Sequence, residues 1–257
     1  IASGHGEEAG IYNDTVVALD AETLKVKDYF TPSASLPALK KDEAVYGVTP
    51  VFFSSNGKNL LVVGSRNGRL YVLDTASLGG ADHHTPLSQT DAIATPGRGF
   101  ISAFSTWQDS DTATRWLYAP ISGPVNQSIT VTNQSGPAPD GSIVAFKVVD
   151  QNGIPVLTPS WVSENLTKPA PPVTANGLVF ALSTGAAQNP RGKGRPAVFY
   201  VLDGTTGKKL YSSGNAITSY SFGSGITVAN GRAYMTTNDN LVYCFGFSKS
   251  QPQLTDR

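Results

Sequence analysis

Two groups of residues in this chain carry side chains that could bind a metal ion or another ligand. The first is Asp82-His83-His84, which offers a carboxylate and two imidazoles, the usual ligands of transition metals. Adjacent side chains of an extended loop point apart, so a third ligand would have to come from elsewhere in the fold. The sequence therefore favours solvated loop residues at His83 and His84, and we predict no metal site.

The second group surrounds a polar hairpin at residues 108–114 and comprises Trp107, Asp109, Arg115 and Trp116. Indole rings at strand ends can stack on sugar rings or on partner side chains, but they also pack between neighbouring sheets. Asp109 lies among polar residues, where an Asp ordinarily stabilises a turn. These four residues, with His83 and His84, are the binding candidates, and structural packing is the favoured interpretation of the aromatic pair.

No established catalytic motif is present in the sequence. The chain has no Gly-x-Ser-x-Gly elbow, no phosphate-binding loop and no calcium loop of alternating oxygen ligands. Cys244 is the only cysteine, so an intramolecular disulfide and a thiolate cluster are both excluded. Its place between two aromatic residues predicts a small buried side chain. We assign no catalytic, cofactor-binding or metal-binding residue.

The elements that would position these side chains recur along the chain. Five apolar strands end in comparable positions, which are Asp20, Asp74, Lys147, Asp203 and Gly246. Their spacings of 54, 73, 56 and 43 residues are close to the period of roughly 40–50 residues for propeller blades with insertions.

Turn signals support the same interpretation. Asn56-Gly57 and Asn67-Gly68 are hairpin dipeptides, because Asn and Gly accept positive φ at little cost. The pattern predicts an all-β fold, a β-propeller of four-stranded antiparallel blades with about five blades in this chain. The expected blades span about 1–44, 45–97, 98–168, 169–219 and 220–247, followed by a tail at 248–257.

The two ends of the pattern are irregular. Residues 1–6 resemble a second strand without a first, and no convincing fourth strand follows Phe247. Either the N-terminal segment closes a small five-bladed ring, or the chain is the C-terminal part of a larger propeller, of roughly seven or eight blades. We favour the larger propeller, whose missing N-terminal portion, or another protein, would then be a partner.

The bulk composition limits the possible partners. The chain carries 19 Lys and Arg against 19 Asp and Glu, so no net field favours nucleic acid. Its apolar runs are shorter than the roughly 20 residues of a membrane-spanning helix. Low charge with abundant Ser, Thr, Asn and Gly is typical of an exported β protein, and we expect a periplasmic, cell-surface or secreted location.

The repeats resemble those of the pyrroloquinoline-quinone-like (PQQ-like) propellers. The resemblance rests on Leu19-Asp20-Ala21-Glu22-Thr23 and on residues 202–208, and it is closest to an extracytoplasmic branch common in acidobacteria-like genomes. It implies a bacterial propeller of four-stranded blades, and no particular reaction. Alcohol-oxidising quinoproteins of this kind use adjacent cysteines, which a chain with Cys244 alone cannot provide, whereas sugar-oxidising relatives manage without them.

The sequence thus leaves three functions open. The favoured one is an extracytoplasmic binding or assembly platform without a catalytic site and without a predicted cofactor. The alternative is a PQQ-dependent sugar or alcohol dehydrogenase, or part of one, and only in that case are PQQ and calcium expected. A structural component of a surface layer or filament is the third.

Overall fold

The structure is a computed structural model, and it describes residues 12, 14–32, 48–65, 68–94, 99–100, 102–187, 194–221, 223 and 225–246. The expectations for residues 1–6, for the hairpin at Asn67 and for the tail at 248–257 therefore fall outside the described residues.

Within these described residues, eighteen strands form five sheets, numbered here in chain order. Sheet 1 contains β1 (Val16–Leu19) and β2 (Val26–Phe30). Sheet 2 contains β3 (Val51–Ser55), β4 (Lys58–Gly64), β5 (Leu70–Asp74) and β6 (Ser88–Gln89). Sheet 3 contains β7 (Ser105–Gln108), β8 (Arg115–Ser122), β9 (Asn133–Gln134), β10 (Gly141–Gln151) and β11 (Ile154–Val162). Sheet 4 contains β12 (Val173–Ala175), β13 (Leu178–Ser183), β14 (Val198–Asp203) and β15 (Lys209–Ser212). Sheet 5 contains β16 (Thr227–Ala229), β17 (Arg232–Thr236) and β18 (Val242–Gly246).

Each sheet is an antiparallel meander of consecutive strands, and the sheets follow one another as propeller blades do. Sheets 2 and 4 have four strands in sequence order, and sheet 3 has the same meander with β9 added parallel to β11 at its edge. The first strands β3, β7, β12 and β16 contact one another in turn. This all-β architecture confirms the predicted fold class. The long connection between β8 and β10 additionally supplies the edge strand β9.

Local turn chemistry explains where the strands end. Asn56 and Gly57 both adopt positive φ, at 49° and 75°, and this allows Ser55 to pair with Lys58 across a tight hairpin. At the end of β14, the Asp203 carboxylate accepts hydrogen bonds from the backbone N–H groups of Thr205 and Thr206, at 3.0 and 2.8 Å. Such a cap satisfies the turn amides and leads the chain directly into the fourth strand.

The core lies between the sheets. One apolar cluster joins sheets 1, 2 and 3, a second joins sheets 3 and 4, and a third joins sheets 4 and 5. Each inner sheet is therefore covered on both faces, which accounts for strands such as β5 that are apolar on both sides. The described part of the chain contains no helix that is long and apolar enough to cross a bilayer.

Candidate functional site

Sheets 3 and 4 are joined by two aromatic side chains that share one acceptor. The Trp161 indole N–H and the Tyr118 hydroxyl both donate to the carbonyl oxygen of Gly204, at 2.9 and 3.1 Å. Trp161 is only 1% exposed, and a Cβ at Gly207 would lie 2.6 Å from its ring. The turn after β14 therefore needs glycine at this contact. Burial, together with the nearby Asp203 and Asp109 carboxylates, raises the pKa of Tyr118, so its hydroxyl stays a donor.

Asp109 is a turn residue, as the sequence predicted. Its carboxylate accepts hydrogen bonds from the Thr112 hydroxyl at 2.6 Å and from the Asp111 backbone N–H at 3.0 Å. The Thr112 hydrogen bond and then the Asp111 one lower the pKa of Asp109, so the group is ionised at neutral pH. Both hydrogen bonds to the Asp109 carboxylate come from its own hairpin, so this carboxylate stabilises the turn and does not contribute to a ligand site.

Arg115 and Trp116 are neighbours in sequence but lie on opposite faces of β8. The Arg115 guanidinium lies over the Phe53 ring of sheet 2 at 5.7 Å and donates to Gln108 Oε1 at 2.7 Å. Burial lowers the pKa of Arg115. Trp116, 3% exposed, packs instead in the cluster between sheets 3 and 4, with Lys147 Nζ 5.2 Å from its ring.

Trp107 completes this packing rather than an open binding surface. It pairs with Trp116 across β7 and β8 and packs half-buried against sheet 4, where a Cβ at Gly177 would lie 3.5 Å from its ring. The two tryptophans thus lie together, whereas Asp109 and Arg115 point elsewhere. The structure does not bring the four hairpin candidates into one pocket.

His83 and His84 anchor a loop on the outer strand of sheet 1. His83 Nδ1 lies 3.0 Å from Asp28 Oδ1, and its ring stacks on Tyr29 with centroids 4.0 Å apart. His84 Nδ1 lies 3.0 Å from the carbonyl oxygen of Thr31. Each histidine is engaged with β2 rather than simply solvated, which corrects the expectation of free loop residues. Within the described residues no three His, Cys, Asp or Glu side chains cluster so as to hold a metal ion.

A polar cluster contains Asp140 and Arg195, each in the loop between the second and third strands of its sheet, and Asn165 from the connection between sheets 3 and 4. Asp140 accepts from Arg195 at 2.9 Å and from the Asn165 amide at 3.1 Å. The Asn165 hydrogen bond and then Arg195 lower the pKa of Asp140. Arg195 also lines an open groove of about 460 Å³ with Thr218 and Tyr220. The Asp140 carboxylate and the Arg195 guanidinium form an ion pair, so this cluster links the loops to each other.

Within the described residues, sheet 5 is covered on one face only, by sheet 4. Tyr243 and Phe245 of β18 pack against sheet 4, whereas the alternating residues Val242 and Cys244 point away from it. Val242 is 70% exposed. We call this side of sheet 5, which carries Val242 and Cys244, the terminal face.

Cys244 contradicts its sequence interpretation. The prediction was a small buried residue, and the structure places the thiol on the exposed terminal face. The error arose because the strand pattern around Cys244 is that of a blade covered on both sides, whereas within the described residues sheet 5 is covered on one side only.

No protein-family model matches the chain, and no curated protein matches it. Among solved structures, it is similar to a quinohemoprotein alcohol dehydrogenase, ADHIIG from Pseudomonas putida HK5, with 14% identity, a TM-score of 0.49 and coverage of 88% of this chain and 38% of that one. It is also similar to BamB from Moraxella catarrhalis, with 16% identity, a TM-score of 0.42 and coverage of 91% and 67%. A third similar structure is BBS1N in complex with ARL6DN, with 13% identity, a TM-score of 0.47 and coverage of 87% and 56%. The chain therefore spans less than two thirds of the dehydrogenase and of BBS1N.

Proposed function

We propose that this chain is a protein-binding and assembly platform, and that the terminal face of sheet 5 is its docking surface. The main evidence for the proposal is a difference in burial between two equivalent strands. The third strand of sheet 2, β5, is buried at four of its five positions, whereas β18 alternates between exposed and half-buried residues. Within the described residues this sheet face is uncovered and carries the exposed Val242, so a partner protein can cover it.

Complete burial of a Val or Leu side chain contributes about 1.5 to 3 kcal/mol relative to full exposure. Val242 retains 70% exposure. Covering it would therefore contribute about 1 to 2 kcal/mol, which favours association without requiring any charged contact but does not by itself offset the cost of association.

The occupant that matches this face is another β-sheet. Sheets 2, 3 and 4 each cover their next neighbour through the same kind of face. We therefore propose that a further blade, from a larger PQQ-like propeller or from a partner protein, packs on the terminal face. The repeat pattern supports the PQQ-like assignment, and the low charge content supports an extracytoplasmic location.

Sedimentation equilibrium across a wide concentration range tests the docking surface. In a solution of this chain alone, a second copy supplies the sheet that can cover the terminal face, so we expect reversible self-association that Val242→Arg abolishes. Leu24→Arg is the matched control, because Leu24 is also 70% exposed but lies in the turn between β1 and β2, away from sheet 5. A monomer at every concentration, or equal loss of association in the two variants, would count against the proposal.

The proposed location has its own measurement. Fractionation of cells that produce the native protein, followed by detection with an antibody, should find the chain in the periplasmic, surface or secreted fraction. Exclusive recovery with cytosolic markers would refute that part of the proposal.

A further inference from the structure

Four tight hairpins in the described part of the chain turn on the same dipeptide, Asn-Gly. They join β3 to β4, β10 to β11, β12 to β13 and β16 to β17, and their dipeptides are Asn56-Gly57, Asn152-Gly153, Asn176-Gly177 and Asn230-Gly231. In each dipeptide both residues adopt positive φ, which is why Asn and Gly suit these turns. A fifth dipeptide, Asn67-Gly68, falls only partly within the described residues.

An Asn that precedes Gly reacts with its own backbone, in the reaction known as deamidation. The backbone nitrogen of the Gly gives up its proton to base and attacks Cγ of the Asn side chain. A C–N bond forms, and the side-chain nitrogen leaves as ammonia. Water then opens the resulting succinimide ring at either carbonyl, which produces aspartate or isoaspartate. Since the dipeptide is identical in the four hairpins, any difference in rate comes from its surroundings.

One carboxylate restrains two of the four dipeptides. The Asn56 side-chain amide donates to Asp150 Oδ2 at 2.9 Å, so the group that must rotate and leave is tethered to sheet 3. The backbone N–H of Gly153 donates to Asp150 Oδ1 at 2.8 Å, so the attacking nitrogen of the second dipeptide is engaged. The negative charge of Asp150 also opposes loss of that proton. Breaking either of these hydrogen bonds slows the attack by about tenfold.

Packing restrains the third dipeptide, Asn176-Gly177. The carbonyl oxygen of Gly177 accepts from the backbone N–H of Gly204 at 2.8 Å. A Cβ at Gly177 would lie 3.5 Å from the Trp107 ring, and Gly177 is half-buried. Ring closure rotates the peptide group between Asn176 and Gly177 out of its hairpin position, so these contacts resist it.

Asn230-Gly231 lacks these restraints. Both residues are exposed, and a Cβ at Gly231 would meet no atom within 4 Å. Among the residues that the structure describes, none forms a hydrogen bond with the Asn230 side chain. The strand that leads into this turn, β16, is three residues long, and two of them are exposed. A short, exposed hairpin opens locally at little cost, which frees the backbone for ring closure.

We infer that Asn230 is a site of spontaneous modification, where the folded chain forms isoaspartate and aspartate faster than at Asn56, Asn152 or Asn176. The reaction consumes one water and releases one ammonia, and it needs no enzyme or cofactor. Isoaspartate adds a methylene to the backbone of a two-residue turn, so it displaces the pairing of Ala229 with Arg232. Sheet 5 therefore carries a chemical change that accumulates as the protein ages. The modification is independent of the proposed platform function.

Peptide mapping of the full chain by mass spectrometry tests this order of reactivity. The folded protein is kept in mildly alkaline buffer below its Tm, and the mass gain of the amide-to-acid conversion is followed at the four sites. We expect conversion at Asn230 to be about tenfold faster than at Asn56 and Asn152. In urea the four rates should be similar, since each Asn precedes Gly. Equal rates in the folded chain, or faster conversion at any of the other three sites, would overturn the inference.

Asp150→Ala tests the physical reason for the order. This variant releases the Asn56 side chain and the Gly153 nitrogen together. Conversion at Asn56 and Asn152 should therefore rise about tenfold, whereas conversion at Asn230 should not change. Unchanged rates at Asn56 and Asn152 would contradict protection by the carboxylate.

Asn230→Gly is the control for the structural consequence, because Gly keeps the positive φ of the turn but has no side-chain amide. Ageing the unaltered chain should speed amide hydrogen exchange at Arg232, followed by NMR, and ageing Asn230→Gly should not. The same change in both aged proteins would overturn the assignment to Asn230.

Discussion

The shared acceptor between sheets 3 and 4 allows a quantitative test of how the blades are held together. Gly204 is buried, and its carbonyl accepts from both Tyr118 and Trp161. In Tyr118→Phe the carbonyl retains the indole donor, so the free energy of unfolding should fall by about 1 kcal/mol. Trp161→Phe should cost about 2 kcal/mol, because the buried ring volume is lost as well as a hydrogen bond.

The double variant leaves the Gly204 carbonyl without either donor. An unsatisfied buried acceptor costs about 1 to 3 kcal/mol, so the double variant should be destabilised by at least about 1 kcal/mol more than the sum of the single variants. The loss of ring volume cancels in this double-mutant cycle, and the coupling isolates the shared carbonyl.

Equilibrium unfolding in urea, followed by the fluorescence of the remaining tryptophans, gives the four free energies of the cycle. The cycle of Tyr71→Phe with Trp161→Phe is the control, because Tyr71 packs between sheets 1 and 2 and should be additive. Additivity of Tyr118→Phe and Trp161→Phe within about 0.5 kcal/mol would refute the shared-acceptor account.

Three further predictions concern single residues. Hydrogen bonds from the Thr23 backbone N–H, from Lys27 and from the Thr23 hydroxyl lower the pKa of Asp20 to about 2, so the stabilising contribution of Asp20 is present above about pH 4 and is lost as the pH falls towards 2. Asp20→Asn should therefore flatten the acid side of a curve of Tm against pH. Asp91→Asn, at a solvent-exposed carboxylate, is the control, and an equally steep curve in the two variants would exclude this role of Asp20. Gly207→Ala should lower the free energy of unfolding by about 1 to 3 kcal/mol, through the contact with Trp161 and a φ of 71°, and a neutral effect in urea unfolding would contradict that contact. The Cys244 thiol should react with a chromogenic disulfide reagent in the folded chain nearly as fast as in urea, and strong protection would disprove its exposure.

Local sequence features predicted the strands well. The prediction of strands ending at Asp74 and Asp203 agrees with β5 and β14, and the hairpin at Asn56-Gly57 is present. These features depend on alternation over a few residues and on the φ preferences of turn residues, both of which can be interpreted without knowledge of distant contacts.

The candidate site was less predictable because it depends on contacts between sheets. Arg115 and Trp116 are adjacent in sequence, but strand alternation sends one to sheet 2 and the other to sheet 4. Successive residues of a strand point to opposite faces, so the sequence alone predicts that Arg115 and Trp116 lie apart. Which sheet packs against each face depends on the order of the sheets in the fold, which the local sequence does not contain. The packing prediction for Trp116 and the turn prediction for Asp109 were confirmed.

Hydrogen bonds between the third and fourth strands could not be predicted either. Ser163 and Ser213 are ordinary polar residues at strand ends, and nothing in their neighbouring sequence marks their hydroxyls as acceptors for the backbone N–H groups of Ile143 and Phe199. The recurrence of this hydrogen bond is visible only when the register of three sheets is compared. The exposure of Cys244 has the same origin, since it reflects what does not pack against sheet 5 within the described residues.

The most direct test compares the hydrogen-exchange rate of the equivalent backbone amide in sheets 2, 3, 4 and 5. Hydrogen exchange of the isolated chain, followed by NMR, should show strong protection of the backbone amides of Leu70, Ile143 and Phe199. Each of these amides donates a hydrogen bond to a Ser or Thr hydroxyl at the end of the fourth strand. The equivalent amide of Val242 should exchange faster by about a hundredfold or more, because within the described residues β18 pairs only with β17. Protection of Val242 equal to that of the other three would contradict the free edge and, with it, the docking surface proposed for sheet 5.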